Sequence, residues 1–415
     1  MLRSVVRLLP LVSLWLLNPR AYADDALPRF IEVAASTSVQ RTALANLGVS
    51  LEVIGDQSVW VVARPDQVAR IMAQGLRVLG ARPLPLFAAE LDFPSRDARF
   101  HNYARLAETL RAIADQHPDL AAVSVLGQSV EGRDILALHL STDPNVLAGG
   151  ATDTPGALFV GNHHAREHLS LEVPLLLAQY LVDHRDTPEI AALLGSRDIW
   201  IVPTVNPDGA EYDIASGHYR MWRKNRRDND DGSHGVDLNR NYGYEWSTTG
   251  ASDWPRDETY HGKAAFSEPE SRAVRDFVLA HDNLRVLLSF HTYSELILYP
   301  WGFTSDPIDN ARDKQVFETM ARTMAKWNGY TPEQSSELYA ASGDTTDWAY
   351  GERGIFAFTF ELSPRSMFGG GFYPGQRIID RVFDDNLKPC LYLIDAADDP
   401  YKVLEGRGSR PRASR

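Results

Sequence analysis

Three apolar runs each lead into residues of the kind that bind metals. "ALFVG" (157–161) precedes His163, His164 and Glu167, "VLLSF" (286–290) precedes His291, and "IFAFTF" (355–360) precedes Glu361. Runs this apolar suit strands covered on both faces. Open α/β sheets gather ligands beyond the carboxyl ends of their strands. If these three strands run parallel, imidazoles and carboxylates from distant parts of the chain meet at one sheet edge. Such a site exists only in the folded protein.

Zinc suits that group. It takes histidine nitrogen and carboxylate oxygen, and a catalytic site keeps one position open beside three protein ligands. Two readings of "HHAREH" (163–168) compete. In one, His164 and Glu167 are ligands and His291 completes the set. In the other, His164 and His168 are ligands and Glu167 is a base, an inverted zincin motif. The second needs 164–168 inside a helix. Here a strand closes at Gly161, and the helical pattern Leu171, Leu175, Leu176, Tyr180 begins only afterwards. The first reading fits better, and His163 and His168 become packing or hydrogen-bonding residues. His261 and His281 read as surface or loop residues.

The remaining chemistry narrows quickly. The net charge is −13, where a nucleic-acid binder would show a basic field. Cys390 is the only cysteine, so neither an intrachain disulfide nor a cysteine-pair metal site can form. Its setting, "LKPCLYLI", predicts a buried structural thiol. No Gly-x-Ser-x-Gly occurs, which disfavours a serine hydrolase.

The chain divides into five parts. Arg3 and Arg7 flank an apolar run, Leu8 to Leu17, followed by Ala21-Tyr22-Ala23. Residues 1–23 therefore read as a removable signal peptide, too short to span a bilayer. The mature protein is expected to be secreted or periplasmic, with no stable membrane association. Residues 24–82 read strand-helix-strand-strand-helix-strand, a small α+β ferredoxin-like domain. Residues 83–99, with prolines and arginines, read as a linker. Residues 100–397 alternate strands and helices, which predicts an α/β fold: a mixed, mostly parallel sheet flanked by helices on both faces. Tyr103, Leu106, Leu110 and Ile113 open it at helical spacing. "FSEPESRAVRDFVLAH" predicts a helix begun by a capping box of Ser267 and Glu270. Residues 398–415, basic and without apolar anchors, are expected to form a disordered tail.

Seven motifs in order then carry a resemblance: "HHAREH", "NPDG" (206–209), "MWRKNRR" (221–227), "GVDLNRNY" (235–242), "SFHTYSELILYPWG" (289–302), "LYAASGDTTDW" (338–348) and "FTFEL" (358–362). Over roughly residues 100–395 the chain resembles the carboxypeptidase A/B-type zinc metallocarboxypeptidases, most of all their bacterial carboxypeptidase T branch. That resemblance implies one zinc ion per chain on His164, Glu167 and His291, with Asp237 orienting a ligand histidine. It implies Glu361 as general base and Arg223 as a clamp on the developing oxyanion. Asn239 and Arg240 would hold the substrate's terminal carboxylate, and Tyr339 would close over it. Arg166 would meet the peptide further upstream, and Tyr293 would be a further substrate-binding residue. Arg226 and Arg227 read as no more than a solvated basic loop.

Asp344 and Thr346 fall in the stretch that reads the released side chain. Threonine matches neither the basic-specific nor the apolar-specific members, so broad specificity for both classes is expected. The N-terminal unit resembles the family's propeptide, with a cut in 82–100, after Arg96 or Arg99. Calcium is a further candidate at "DNDDG" (228–232), although a solvated turn is the simpler reading. The expected partners are peptides or proteins with a free C-terminal carboxylate, and the expected state is a monomer. Two alternatives remain: an amidohydrolase trimming cell-wall peptides, and a non-catalytic peptide-binding module.

Overall fold

The computed structural model describes residues 28–83, 93–215, 217 and 219–405. The candidate signal peptide, residues 84–92 of the linker and residues 406–415 of the tail lie outside the described residues.

The smaller unit is a four-stranded antiparallel sheet: β1 (Arg29–Ala34), β2 (Ser50–Ile54), β3 (Ser58–Ala63) and β4 (Val78–Pro83), in the order β2-β3-β1-β4. That order is ferredoxin-like. Alternation makes one face: Ile31, Val33, Val59 and Val61 all point into its core. Two helices complete it. Ser38–Asn46 begins with a capping box between Thr37 and Gln40, and Pro65–Ala73 carries proline in its first turn.

The larger unit is an eight-stranded mixed sheet. Its strands are β5 (Ala121–Gln128), β6 (Asp134–Leu140), β7 (Gly156–Gly161), β8 (Asp198–Val202), β9 (Leu284–Thr292), β10 (Leu296–Tyr299), β11 (Thr331–Gln334) and β12 (Phe356–Leu362). The order is β11-β10-β12-β9-β7-β8-β6-β5, and β12, β9, β7 and β8 are mutually parallel. The three apolar runs are therefore three adjacent parallel strands.

Alternation along these strands explains the two layers. Val286, Leu288 and Phe290 of β9 and Phe356, Phe358 and Phe360 of β12 enter one core, with helices Tyr103–Gln116, Leu169–Asp183, Ala311–Asn328 and Ile379–Ala396. Leu287 and Ala357 enter the other, with helices Pro269–Ala280 and Thr345–Arg353. His291 lies two steps after Ser289 on the second face, and Glu361 two steps after Thr359. The small unit has its own apolar cluster, drawn wholly from residues 31–81, while the two cores of the large unit begin at Phe93.

Several local expectations change. Helix Pro269–Ala280 takes Glu268 as its N-cap, without a side-chain capping bond. Ser267 Oγ instead accepts from Asn241 Nδ2 and donates to Glu268, and buried Glu270 accepts from the Val130 amide and Asn225. Tertiary partners have captured both residues of the expected capping box. Residues 93–100 are packed rather than linker-like. Phe93 and Phe100 stack in the large core, and Asp97, fully buried, accepts from Tyr219 Oη and the Gln376 amide. Within the expected tail, Pro400–Leu404 forms a 3-10 turn, and Tyr401 Oη donates to Asp313. Cys390 is buried, as expected.

Candidate active site

The loop after β7 is shaped by two small residues. A Cβ on Gly161 would stand 2.1 Å from the Ser170 carbonyl oxygen, so only glycine lets the loop approach so closely. Asn162 follows with φ 54°, a left-handed conformation that asparagine tolerates. Its Nδ2 donates to the carbonyls of His164, Ala165 and Glu167, coiling the segment tightly. His164 and Glu167 project from that coil. The Ala165 amide donates to the Arg223 carbonyl, and Asn206 Nδ2 donates to the carbonyls of His163 and Lys224. Three of the seven motifs are thereby knitted together. Asn162 and Asn206 were not singled out from the sequence, although an asparagine just past a strand-ending glycine marks such a turn.

His164, Glu167 and His291 form the one cluster able to hold a metal ion among the described residues, and all three are buried. His164 Nδ1 lies 2.8 Å from Glu167 Oε1 and 3.1 Å from His291 Nδ1, which lies 3.0 Å from Glu167 Oε2. Atoms bound tetrahedrally to zinc at 2.0–2.1 Å stand about 3.3 Å apart, so this spacing fits the ion closely. The tautomers agree. His164 Nε2 contacts Asp237 Oδ1 at 3.2 Å, and a carboxylate only accepts, so its proton sits there and Nδ1 presents a lone pair. His291 Nε2 is held by Ser289 Oγ at 3.1 Å, again leaving Nδ1 toward the centre. Burial pushes the Glu167 carboxyl up, but His164 and His291 outweigh it and hold it below the usual carboxylate range.

His163 and His168 turn elsewhere. His163 Nε2 contacts Tyr242 Oη and Thr345 Oγ1, and His168 Nε2 contacts Asp213. Helix Leu169–Asp183 starts after His168, so residues 164–168 lack the helical face an inverted motif needs. His261 lies in a loop, as expected, but is buried there, close to Asp253 and Ser247. His281 packs on Phe277. Arg227 pairs with buried Glu268, and Arg226 stacks on Tyr212, so neither is merely solvated. The "DNDDG" loop is a turn closed by its own hydrogen bonds, such as the Asp230 amide to Asp228.

Asp237 links two roles: its Oδ1 faces His164 and its Oδ2 accepts from Arg223 Nε at 2.9 Å. Burial opposes its charge, yet Arg223 and then His164 hold it well below the usual range. Glu361 shares one cavity with His164, Glu167 and Arg223, and another with His164, His291, Asn239, Arg240 and Tyr339. Burial first, then the Glu167 charge, raises its carboxyl well above the ordinary value.

Arg240 is buried, and its Nη2 lies 3.3 Å from Tyr339 Oη. Asn239 Oδ1 accepts from the Thr345 amide and hydroxyl. Asp344 and Thr346 line the second cavity beside Arg240. Asp344 Oδ1 caps helix Thr345–Arg353, accepting from the amides of Thr346 and Asp347 and from Thr346 Oγ1. Tyr293 and Phe372 pack edge to face at the first cavity.

That first cavity is walled on its outer side by Leu51, Glu52 and Ile54 of β2. Arg166, fully buried, donates to Glu52 Oε1 at 2.8 Å. Helix Ser38–Asn46 grips the segment around Tyr339: Arg41 donates to the carbonyls of Glu337 and Leu338, and Thr42 Oγ1 accepts from the Ala340 amide. Gly48, at φ 74°, meets the large unit so closely that a Cβ would stand 1.9 Å from Asp257 Oδ2.

The zinc carboxypeptidase family model matches residues 106–388. A zinc carboxypeptidase from Saccharothrix mutabilis subsp. capreolus is 38% identical over 370 residues, covering 84% of each chain. Carboxypeptidase B from Astacus astacus is 36% identical over 278 residues, covering 65% of this chain and 88% of that one. The crystal structure of carboxypeptidase A from Helicoverpa armigera superposes with a TM-score of 0.74 at 23% identity, a likeness of fold, over 92% of this chain and 99% of that one. A matched domain spanning most of the larger unit, together with a buried His-Glu-His set at zinc spacing, leads to one conclusion: the chain belongs to the zinc carboxypeptidase family and is a metallo-exopeptidase.

Proposed function

We propose that this enzyme is exported as a latent precursor and then removes the last residue of peptides, accepting both apolar and basic side chains. The observation that carries the catalytic part is the placement of Glu361 in the cavities that hold His164, Glu167 and His291. When bound by those three residues, zinc supplies Lewis acidity and lowers the pKa of water.

The chain's own groups do the rest. Glu361 takes a proton from the attacking water and passes it to the departing amine. Arg223, locked by Asp237, is in place before negative charge develops on the carbonyl oxygen, which is where a fixed cation stabilises most. Arg240 and Asn239 receive the terminal carboxylate, and the guanidinium fork suits that anion. Tyr339 closes beside Arg240. An internal peptide bond offers no such anion, so the grip selects chain ends.

Mixed specificity rests on the floor of the second cavity. Leu298, Ala341 and Thr359 offer apolar surface. Asp344 is held in place by three donors on its Oδ1, and its negative charge at the cavity wall favours a basic side chain. Rates for release of Phe, Leu, Arg and Lys from otherwise identical peptides should lie within about a hundredfold, roughly 3 kcal/mol in transition-state terms. Turnover only on D-amino-acid or diaminopimelate peptides would instead assign the enzyme to cell-wall trimming.

Latency is supported by Leu51, Glu52 and Ile54 of β2, which line the cavity of His164, Glu167 and Glu361. We place the activating cut before Phe93, because cutting after Arg96 or Arg99 would fall inside the packed segment of residues 93–100. Export rests on residues 1–23; no described helix is long and apolar enough to cross a membrane. Mass spectrometry of the exported protein, with peptide turnover before and after the cut, tests both statements.

A further inference from the structure

We propose that Arg166 makes the mature enzyme favour substrates with an acidic side chain one or two residues upstream of the bond it cuts. The inference rests on the carboxypeptidase reading and adds a substrate class to it.

The observation is the company Arg166 keeps. Its guanidinium donates to Glu52 Oε1 and Ser50 Oγ, both at 2.8 Å, and to the Met221 carbonyl at 3.2 Å. Its face lies 4.3 Å from the centre of the Phe372 ring. Glu52 and Ser50 belong to the small unit; Met221 and Phe372 belong to the large one. Among the described residues, no carboxylate of the large unit pairs with Arg166, so Glu52 alone balances its charge at contact distance. Once the small unit leaves, the large unit retains a guanidinium with an aromatic floor and one carbonyl contact, and Glu258 and Glu167 act on it only from beyond contact distance.

Glu52 also shows how an anion reaches it. The residue lies on an extended strand, and its side chain enters the cavity shared by His164, Glu167, Arg223 and Glu361. Glu52 Oε2 has no hydrogen-bond partner there. A peptide threading its chain end toward Glu361 is also extended, and its upstream side chains alternate like those of β2. A substrate carboxylate can therefore take the place of Glu52. A neutral substrate can offer Arg166 only amide or hydroxyl oxygen. Charge-assisted hydrogen bonds are about twice as strong as neutral ones, and more so in a water-poor cavity.

The test uses the processed enzyme, whose large unit has cores of its own. Four peptides ending in the same residue carry Glu or Gln at the penultimate or the antepenultimate position. At low salt, kcat/KM should favour Glu over Gln by about tenfold at one of the two positions, and Arg166→Gln should bring that ratio to near one at unchanged zinc content. A ratio below about threefold at both positions in the unmutated enzyme overturns the proposal, as does a ratio that survives Arg166→Gln. If Arg166→Gln does not fold, a Glu preference that shrinks severalfold between 0.05 and 0.5 M salt supports the proposal, and one indifferent to salt overturns it. Absence of turnover on all four peptides would overturn the peptidase reading instead. The Arg166 subsite is then judged by calorimetric binding of the same peptides against the same tenfold criterion.

Discussion

Glu361 and His291 are register partners, side by side on the parallel strands β12 and β9. Phe360 and Phe290, one step earlier on each strand, point into the opposite core. The pairing therefore sets a carboxylate next to a metal ligand while the same two strands anchor the sheet. Glu361→Gln preserves shape and packing but cannot accept a proton. Turnover should fall by a factor of about 10²–10⁴, with zinc content by elemental analysis unchanged. Retained turnover would remove Glu361 from the mechanism.

The Asp237 carboxylate serves His164 and Arg223 at once. Asp237→Asn keeps the volume but loses the charge that orients the imidazole. Zinc affinity should drop by about 10–100-fold, read by competition with a chromophoric chelator. The rate should fall further than zinc loss explains, because Arg223 also loses its anchor; assays at saturating zinc separate the two effects.

Glu52 is fully buried against Arg166, so losing it leaves an unbalanced guanidinium at the seam between the units. Removing one member of a buried ion pair costs about 3–5 kcal/mol. In the uncut full-length chain, Glu52→Ala should loosen the small unit and raise peptide turnover at least tenfold over the uncut parent. Equal activity of the two uncut proteins would show that this contact does not hold the precursor latent.

Burial raises the Glu270 carboxyl to about 7 from the ordinary 4.5, against the hydrogen bonds from Val130 and Asn225 that favour its charge. A raised folded-state pKa means stability present below about pH 4.5 and lost as pH rises through 7. Glu270→Gln removes that dependence. Chemical denaturation at pH 4.5 and pH 8 should show the variant gaining on the parent by roughly 3 kcal/mol across the interval. A constant offset from changed hydrogen bonding leaves this difference intact, and parallel pH profiles would contradict it.

Much of the protein is legible from its residues in order. Apolar runs ending in His164, His291 and Glu361 mark buried strands with ligands at one end, because side-chain period and burial are local properties. Ligand chemistry is equally local, since His and Glu at these positions suit zinc wherever they are carried. Tertiary structure decided what depends on distant partners. Ser267 and Glu270 carry the signature of a helix cap, yet Asn241, Val130 and Asn225 claimed them. Asp97 and Tyr401 lie in segments that look unanchored, until Tyr219 and Asp313 meet them. The Glu52–Arg166 pair joins two units with separate cores, so no periodicity within either unit encodes it. Charge pairing across a docked seam depends on how two finished surfaces meet, and that information resides in neither stretch of sequence alone.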